Sequence, residues 1–258
     1  MVMKLRILGC NGGIGKGLRT TSLLVDDDIL IDAGSGVGDL TLDEMAAVRH
    51  IFLTHSHLDH VAFLPLLVDS IFERIDEPIV IHALPETLRG IKEHLFNWVI
   101  WPDFASLPSA ENPVMRYEEI TVGQQCRLAG RTIEPIAVNH IVPTVGYRFE
   151  SAAGASFAFT GDTTTNDSFW AALNAHAHLD FLLLEVAFAN RHEALSQMAH
   201  HYCSKTLVED LVKLEHNPQI CLTHHKPDED QVIFAEVMAA VAGHRNIKQL
   251  KNNLTFQL

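Results

Sequence analysis

The stretch of sequence that decides the fold is Thr54-His55-Ser56-His57-Leu58-Asp59-His60, directly after a short apolar strand. Four potential metal ligands in six positions cannot share one face of a helix or of a strand. They fit a tight loop at the end of a strand, where His55 and His57 would bind one ion and Asp59 and His60 a second. Imidazole and carboxylate ligands together favour zinc, iron or manganese over calcium or magnesium. The alternative is a solvated polar loop, but four ligands in this order favour a metal site.

Two ions need further ligands, and three candidate positions follow short apolar strands. The run 133–139 leads into His140, and the run 155–160 leads into Gly161-Asp162. The run 219–223 leads into the pair His224-His225, and the residues alone leave open which of the two histidines would bind.

This pattern, in which a candidate ligand follows each short strand, resembles that of the metallo-β-lactamase superfamily. The motifs of the superfamily appear here in order from Asp32 to His224. The resemblance covers essentially the whole chain and implies an α/β (α+β) fold, the four-layer αββα sandwich. It also implies two divalent transition-metal ions, with zinc expected and manganese or iron as alternatives. The implied ligands of the first ion are His55, His57 and His140, those of the second are Asp59, His60 and His224, and Asp162 bridges both.

The resemblance favours His224 over His225, because the family places this ligand directly after the Thr that closes the strand, here Thr223. It also implies that Asp32 contacts a ligand histidine from behind and orients it.

Composition predicts one domain over residues 1–258, with a helical insert near 84–116. A chain of this length with 47% hydrophobic residues can bury a sizeable core. The first residues lack the apolar region of a signal peptide, and no uninterrupted apolar segment is long enough to cross a bilayer. The four Cys residues show no disulfide or zinc-ribbon spacing. We therefore expect a cytoplasmic protein with free thiols.

The formal charge of -13 predicts no large nucleic-acid partner, because such binding depends on clustered Lys and Arg. A small anionic nucleotide is compatible with it, because two metal ions would make the site locally positive. We expect no membrane partner, and the sequence leaves a homodimer open. Several histidines lack a supporting pattern, and we expect them to be surface or boundary residues: His82, His94, His176, His178, His192, His216 and His244.

Periodicity predicts strand-rich halves with helices between them. Strands are expected at 4–9, 20–25, 29–31, 51–54, 131–138, 145–150, 156–160, 180–185 and 219–223. Helices are expected at 58–73, 168–174, 204–215 and 229–241, with a short one ending within 44–49. The Gly-rich segment 12–17 lacks the spacing of a phosphate-binding loop and predicts a hairpin turn.

Three further features resemble the phosphodiesterase branches of the superfamily. Leu184-Glu185-Val186-Ala187-Phe188-Ala189-Asn190 is similar to their acidic motif, and His201-Tyr202-Cys203-Ser204 is similar to their catalytic-histidine segment. The segments 94–104 and Thr223-His224-His225-Lys226-Pro227 look like the class II 3′,5′-cyclic-nucleotide phosphodiesterases. The resemblance therefore implies hydrolysis of a small phosphodiester, with cyclic AMP as the type of substrate.

A phosphodiesterase must also protonate the leaving alkoxide, and His201 held by Glu185 is our candidate for this step. We also predict a catalytic role for Asp59. From the residues alone, Glu185 could equally cap a helix or form a salt bridge, and His200 is an equally good acid. Lys226 is a candidate phosphate contact and Trp101 a candidate base contact, although Trp101 could simply pack.

Two other functions share these ligands. The tRNA 3′-end endonucleases share the Glu185 and His201 motifs but commonly carry a long basic arm between the motifs corresponding to His140 and Asp162, where this chain has room for two strands only. A nonhydrolytic di-iron protein that senses oxygen or redox state would use the same ligand set.

Overall fold

Two sheets of seven strands each form the centre of the computed structural model, which describes residues 2–258. In chain order the strands are β1 (Lys4–Gly9), β2 (Ser22–Val25), β3 (Ile29–Ile31), β4 (His50–Phe52), β5 (Ile79–Ala83), β6 (Met115–Glu119), β7 (Cys126–Leu128), β8 (Arg131–Ala137), β9 (Val145–Ser151), β10 (Ser156–Phe159), β11 (Phe181–Glu185), β12 (Gln219–Thr223), β13 (Ile247–Gln249) and β14 (Thr255–Gln257). The first sheet has the order β14-β1-β2-β3-β4-β5-β6, and the second has the order β13-β12-β11-β10-β9-β8-β7.

Helices connect many of these strands. They are α1 (Leu42–Ala47), α2 (Leu58–Val61), α3 (Leu64–Ser70), α4 (Pro85–His94), α5 (Ser168–Asn174), α6 (Glu193–Met198), α7 (Ser204–Leu211) and α8 (Asp230–Val241). Short 3-10 turns lie at 35–39, 72–74, 104–106 and 190–192. Within residues 2–258, no helix is both long enough and apolar enough to pass through a bilayer.

The central strands of both sheets are buried on both faces, which produces four layers. Neighbouring side chains of a strand point to opposite faces. In β2, Leu23 packs between the two sheets, whereas Leu24 packs among the helices on the outside. In β11, Leu183 packs between the sheets, whereas Leu184 packs against the second group of helices. The predicted αββα sandwich is therefore confirmed.

The direction of the strands determines which edge of the sandwich carries the predicted site residues. Strands β3 to β6 are parallel to one another, and so are β10 to β13. Loops after parallel strands meet at the carboxyl edge of a sheet, where ligands of open α/β sheets are found. The predicted metal ligands and Asp32 follow β3, β4, β8, β10 and β12, and Glu185 is the last residue of β11.

Several predicted bounds agree with the structure, including 4–9, 29–31, 168–174 and 219–223. The single helix predicted at 58–73 is wrong, because α2 and α3 are separate. Between them the Phe63 amide donates to the carbonyl of Ala33 at 2.9 Å. Pro65 follows at the start of α3 and has no amide hydrogen with which to continue the first helix.

The segment predicted as a helical insert is helical only at its start. Helix α4 is the crossover that joins the parallel strands β5 and β6. After it, the chain is irregular apart from the turn at 104–106, until β6 begins at Met115.

Candidate metal centre

All seven predicted ligands converge at the carboxyl edge of the sandwich. They form two groups in which one ligand atom of every residue lies within 4.8 Å of the others: His55, His57, His140 and Asp162 in the first group, and Asp59, His60, Asp162 and His224 in the second. Asp162 belongs to both groups, which is the geometry required of a bridging ligand. His225 belongs to neither group.

The ligand atoms of this cluster are left without ordinary partners. Within the described chain, the Nε2 atoms of His55, His60 and His224 and the Oδ1 atom of Asp162 are buried and have no hydrogen-bond partner. Leaving so many polar atoms unpaired in one buried place is costly, and native proteins avoid it. Cations between these atoms would satisfy them together, so the residues fit divalent metal ions.

The separations within the cluster also suit ligands that share an ion. His57 Nδ1 lies 3.2 Å from His140 Nε2, and His60 Nε2 lies 3.3 Å from the Oδ2 atom of Asp162. Two ligands at zinc-bond length and tetrahedral angle are about 3.3 Å apart. The Asp59 carboxylate is more open, with its Oδ2 atom 3.7 Å from His60 Nε2 and 3.8 Å from His224 Nε2.

Asp32 lies behind the cluster, where the resemblance placed it. It is fully buried, and its carboxylate accepts hydrogen bonds from His60 Nδ1 at 2.7 Å and from the Thr54 amide at 2.7 Å. The Thr54 hydroxyl donates to the same carboxylate at 2.8 Å. These contacts fix the His60 ring so that its Nε2 atom faces Asp162, as expected of a residue that orients a metal ligand.

Burial keeps most of the imidazoles in the neutral form that binds metals. It lowers the pKa of His55 well below its usual value, that of His140 to about 4, and that of His224 to about 3. His60 differs: burial opposes its charged form, but Asp162 and Asp32 together raise its pKa well above the usual value. Two buried carboxylates beside one imidazole leave negative charge that is only partly compensated, and divalent ions would compensate the rest.

His201 and Glu185 form the predicted pair. His201 Nδ1 donates to Glu185 Oε1 at 2.5 Å, and the fully buried Glu185 also accepts from the amides of Thr163 and Tyr202. Burial opposes the charged form of His201, but the Glu185 carboxylate raises its pKa. The His201 ring centroid lies 5.0 Å from that of His140, so the pair adjoins the metal cluster.

His200 contributes its backbone, a role that sequence reasoning missed. Its φ of 51° lies in the left-handed region, and its carbonyl accepts a hydrogen bond from His140 Nδ1 at 2.9 Å. This contact leaves His140 Nε2 free to face His57. The one weak signal for this conformation is the residue type, because histidine adopts the left-handed region more often than most residues other than glycine.

Gly12 is a second residue whose role the sequence analysis did not predict. A Cβ atom there would lie 2.4 Å from the carbonyl oxygen of His224, so only glycine lets this loop pass over the end of β12. The segment does form a turn, in which the Leu18 amide donates to the carbonyl of Gly15 at 3.1 Å. The Gly12 amide also donates to the carbonyl of His225 at 2.9 Å, so this loop is attached to the end of β12, from which His224 enters the cluster.

The predicted substrate contacts lie outside the cluster. Lys226 Nζ donates to the carbonyl of Gly12 at 3.0 Å, and Lys226 and His225 line a cavity of about 450 Å³ that includes none of the seven ligands. Trp101 is half-buried and packs against the core under α1 to α4, whereas Trp98 is 64% exposed. Both predicted contacts, Lys226 and Trp101, remain predictions.

Four layers of helix and sheet around a His/Asp cluster at the strand ends define a metal-dependent hydrolase. The chain belongs to the beta-lactamase superfamily, because the family model described as "Beta-lactamase superfamily domain" matches residues 28–225.

Similar proteins carry two different names. A probable 3′,5′-cyclic-nucleotide phosphodiesterase of Yersinia pestis is 25% identical over 81% of this chain and 71% of its own length. A ribonuclease Z of Staphylococcus carnosus is 34% identical over 47% of this chain and 39% of its own length. The crystal structure of unliganded yeast PDE1 superposes with a TM-score of 0.84 at 18% identity, covering 100% of this chain and 99% of that one.

The left-handed backbone of His200 generates a prediction. His200→Val should weaken metal binding by about 10- to 100-fold, the usual effect of losing the outer partner of a ligand histidine. Valine disfavours a positive φ, whereas glycine adopts it freely, so His200→Gly should bind metal within a few-fold of the parent. Competition with a chromophoric chelator measures both affinities. Equal affinities in the two variants would show that the carbonyl of residue 200 does not position His140.

Proposed function

We propose that this chain is a dinuclear-metal phosphodiesterase that hydrolyses a 3′,5′-cyclic nucleotide, of the cyclic AMP type, to the 5′-monophosphate. The observation that carries the proposal is the His201–Glu185 pair beside two ligand groups that share Asp162. Relatives named as cyclic-nucleotide phosphodiesterases support the choice of substrate. Four free thiols fit a reducing compartment, so we place the enzyme in the cytoplasm.

The proposed ligand set is the set of seven converging residues, and zinc is our first choice of metal, with manganese or iron as alternatives. Divalent ions held there would neutralise the phosphate and supply an ionised water as nucleophile. Asp59, 29% exposed at its side chain, is the carboxylate of the cluster most open to an incoming substrate.

The chain itself would provide the proton for the leaving group. Glu185 accepts from His201 Nδ1, so Nε2 is the atom of His201 that can deliver a proton to the departing 3′-alkoxide. The buried Glu185 also stabilises the charged form of His201 before the transfer. Lys226 and Trp101 are proposed to contact the phosphate and the base at the edge of this site.

One structural observation favours a small substrate over tRNA. The chain between His140 and Asp162 consists of β9 and β10 joined by a short turn, so this connection carries no arm. The formal charge of -13 points the same way. Ribonuclease Z relatives nevertheless make tRNA 3′-end cleavage the second candidate. A di-iron sensor would be recognised by oxygen-dependent visible absorption without phosphodiesterase turnover.

Metal content tests the dinuclear site. Protein reconstituted with zinc, manganese or iron should hold about two ions in the His/Asp cluster, and Asp162→Ala should lose the bridge, metal and most activity while circular dichroism shows an intact fold. Asp167→Ala, which removes an exposed carboxylate near α5, is the matched control and should keep both ions. A cluster that never holds more than one ion would rule out the dinuclear assignment.

Leaving-group dependence tests the general acid. His201→Ala should slow turnover of a substrate with a poor alkoxide leaving group by about 10²-fold or more. It should affect a p-nitrophenyl phosphodiester much less, because p-nitrophenolate scarcely needs a proton. Steady-state kinetics on both substrates decide the matter. Equal losses would instead point to a role of His201 in binding or in metal positioning.

A substrate panel tests the cyclic-nucleotide assignment. We expect turnover of a 3′,5′-cyclic nucleotide, and Trp101→Ala should raise KM for that nucleotide more than for a base-free phosphodiester, because base stacking contributes about 1–3 kcal/mol. The base-free substrate is the internal control for damage to the fold. Cleavage of precursor tRNA without turnover of any cyclic nucleotide would transfer the assignment to the endonuclease branch.

A further inference from the structure

Glu185 is held at both of its carboxylate oxygens by backbone amides that come from two different loops. Its Oε1 atom accepts from the amide of Thr163 at 3.4 Å, and its Oε2 atom accepts from the amide of Tyr202 at 3.3 Å. Thr163 follows the bridging Asp162 in the loop between β10 and α5, and Tyr202 follows His201 in the loop between α6 and α7. The orientation of Glu185, and with it that of the His201 ring, therefore depends on where these two loops lie.

Asp210 binds both loops from one buried position on α7. It is 2% exposed, and its Oδ2 atom accepts hydrogen bonds from the Tyr202 hydroxyl at 2.6 Å, the Trp170 indole at 2.6 Å and the Asn166 amide at 3.2 Å. Its Oδ1 atom pairs with the ammonium group of Lys213. A buried carboxylate needs such compensating partners, and here they come from separate parts of the chain.

The contact with Tyr202 fixes the loop before α7. Tyr202 is fully buried, and burial together with the Asp210 carboxylate raises its pKa, so its hydroxyl keeps the proton that it donates. The carbonyl of the same residue accepts from the amides of Ala187 and Phe188 at 3.2 Å each. Because the Tyr202 amide donates to Glu185, one residue connects Asp210 to Glu185.

The contact with Asn166 fixes the other loop. The backbone amide of Asn166 donates to Asp210, and its side-chain amide donates to the Thr163 hydroxyl at 3.1 Å and to the Thr164 carbonyl at 3.0 Å. The backbone amide of Thr163 is in turn the donor to Glu185 Oε1. Asp210 is thus connected by short chains of hydrogen bonds to both of the amides that hold Glu185.

We propose that Asp210 is a positioning residue for the proton donor, because it fixes the two amides that orient Glu185, and Glu185 orients His201. The inference rests on the proposed function, in which His201 Nε2 delivers a proton to the leaving group. Among residues 2–258, the hydrogen bonds and ion pairs of Asp210 involve none of the seven predicted metal ligands. Asp210 therefore acts through Tyr202 and Asn166, and its effect falls on the placement of the acid.

Proton NMR tests this role without any assay of catalysis. In protein reconstituted with zinc, the Nδ1 proton that His201 donates to Glu185, here called the acid-pair proton, should give a downfield resonance that Glu185→Gln removes. Tyr202→Phe deletes the hydroxyl that binds Asp210. The acid-pair proton of this variant should exchange with water about 10-fold faster, because one buried hydrogen bond that restrains Glu185 is lost.

Two controls separate positioning from a general loss of stability. The proton between His60 Nδ1 and Asp32 belongs to a second buried imidazole–carboxylate pair and should exchange at its parent rate in Tyr202→Phe. Tyr147→Phe makes the same substitution at another fully buried tyrosine, whose hydroxyl donates to the carbonyl of Leu53 at 2.7 Å. This variant should leave the exchange of the acid-pair proton unchanged.

Leaving-group dependence gives the catalytic measurement. Tyr202→Phe should lower kcat for the cyclic nucleotide by about 10-fold or more, because a misplaced proton donor costs rate. The metal content and the turnover of a p-nitrophenyl phosphodiester should stay near the parent values. Asp210→Ala should show the same pattern at least as strongly in protein with native circular dichroism, and Tyr202→Phe alone decides the matter if Asp210→Ala does not fold.

The proposal is overturned if the acid-pair proton exchanges at the parent rate in Tyr202→Phe, or if Tyr147→Phe accelerates its exchange as much. An equal acceleration at the His60–Asp32 pair would also overturn it. A parent protein that hydrolyses no phosphodiester would overturn the proposed function instead, and the exchange of the acid-pair proton would still decide whether Asp210 positions His201.

Discussion

The carboxylate of Asp162 organises the functional edge of this molecule. It is 2% exposed and has His60 Nε2 at 3.3 Å, His224 Nδ1 at 3.2 Å and His55 Nε2 at 3.7 Å. These histidines follow strands of both sheets, so the two halves of the sandwich meet at one buried charge. A buried carboxylate is tolerated only with compensating partners, which constrains where each strand can end.

The metal cluster and the proposed proton donor are linked through one short segment. His200 holds His140 by its carbonyl, and the next residue, His201, pairs with Glu185. A shift of this segment would therefore move a predicted metal ligand and the proposed acid together. The left-handed backbone at His200 lets consecutive residues face these two different partners.

Much of this arrangement could be predicted from sequence, because the ligands are specific residue types at strand ends. Strands such as 219–223 have a continuous apolar centre, here Ile220 to Leu222. Four ligand side chains within six positions around Asp59 strongly favour a metal site. The strands β5, β6, β7, β13 and β14 were not predicted. Four of them, β6, β7, β13 and β14, are edge strands whose partly exposed residues weaken any apolar pattern. The fifth, β5, is an apolar run that the sequence analysis overlooked. The burial of His82, which is 1% exposed, and the left-handed backbone of His200 depend on long-range packing, for which local sequence carries little signal.

The pairing of β14 with β1 has a consequence for the solubility of the chain. Six strands of the first sheet lie before residue 120, yet the seventh, β14, comes from 255–257 and covers the outer side of β1. Without it, the amides of Met3 and Ile7 would lose the carbonyls of Leu258 and Leu254, and β1 would present an open edge. Open edges of this kind recruit strands from other molecules. Strand β14 therefore protects the molecule against edge-to-edge aggregation. Until β14 docks during folding, the edge of β1 stays open to strands of other molecules.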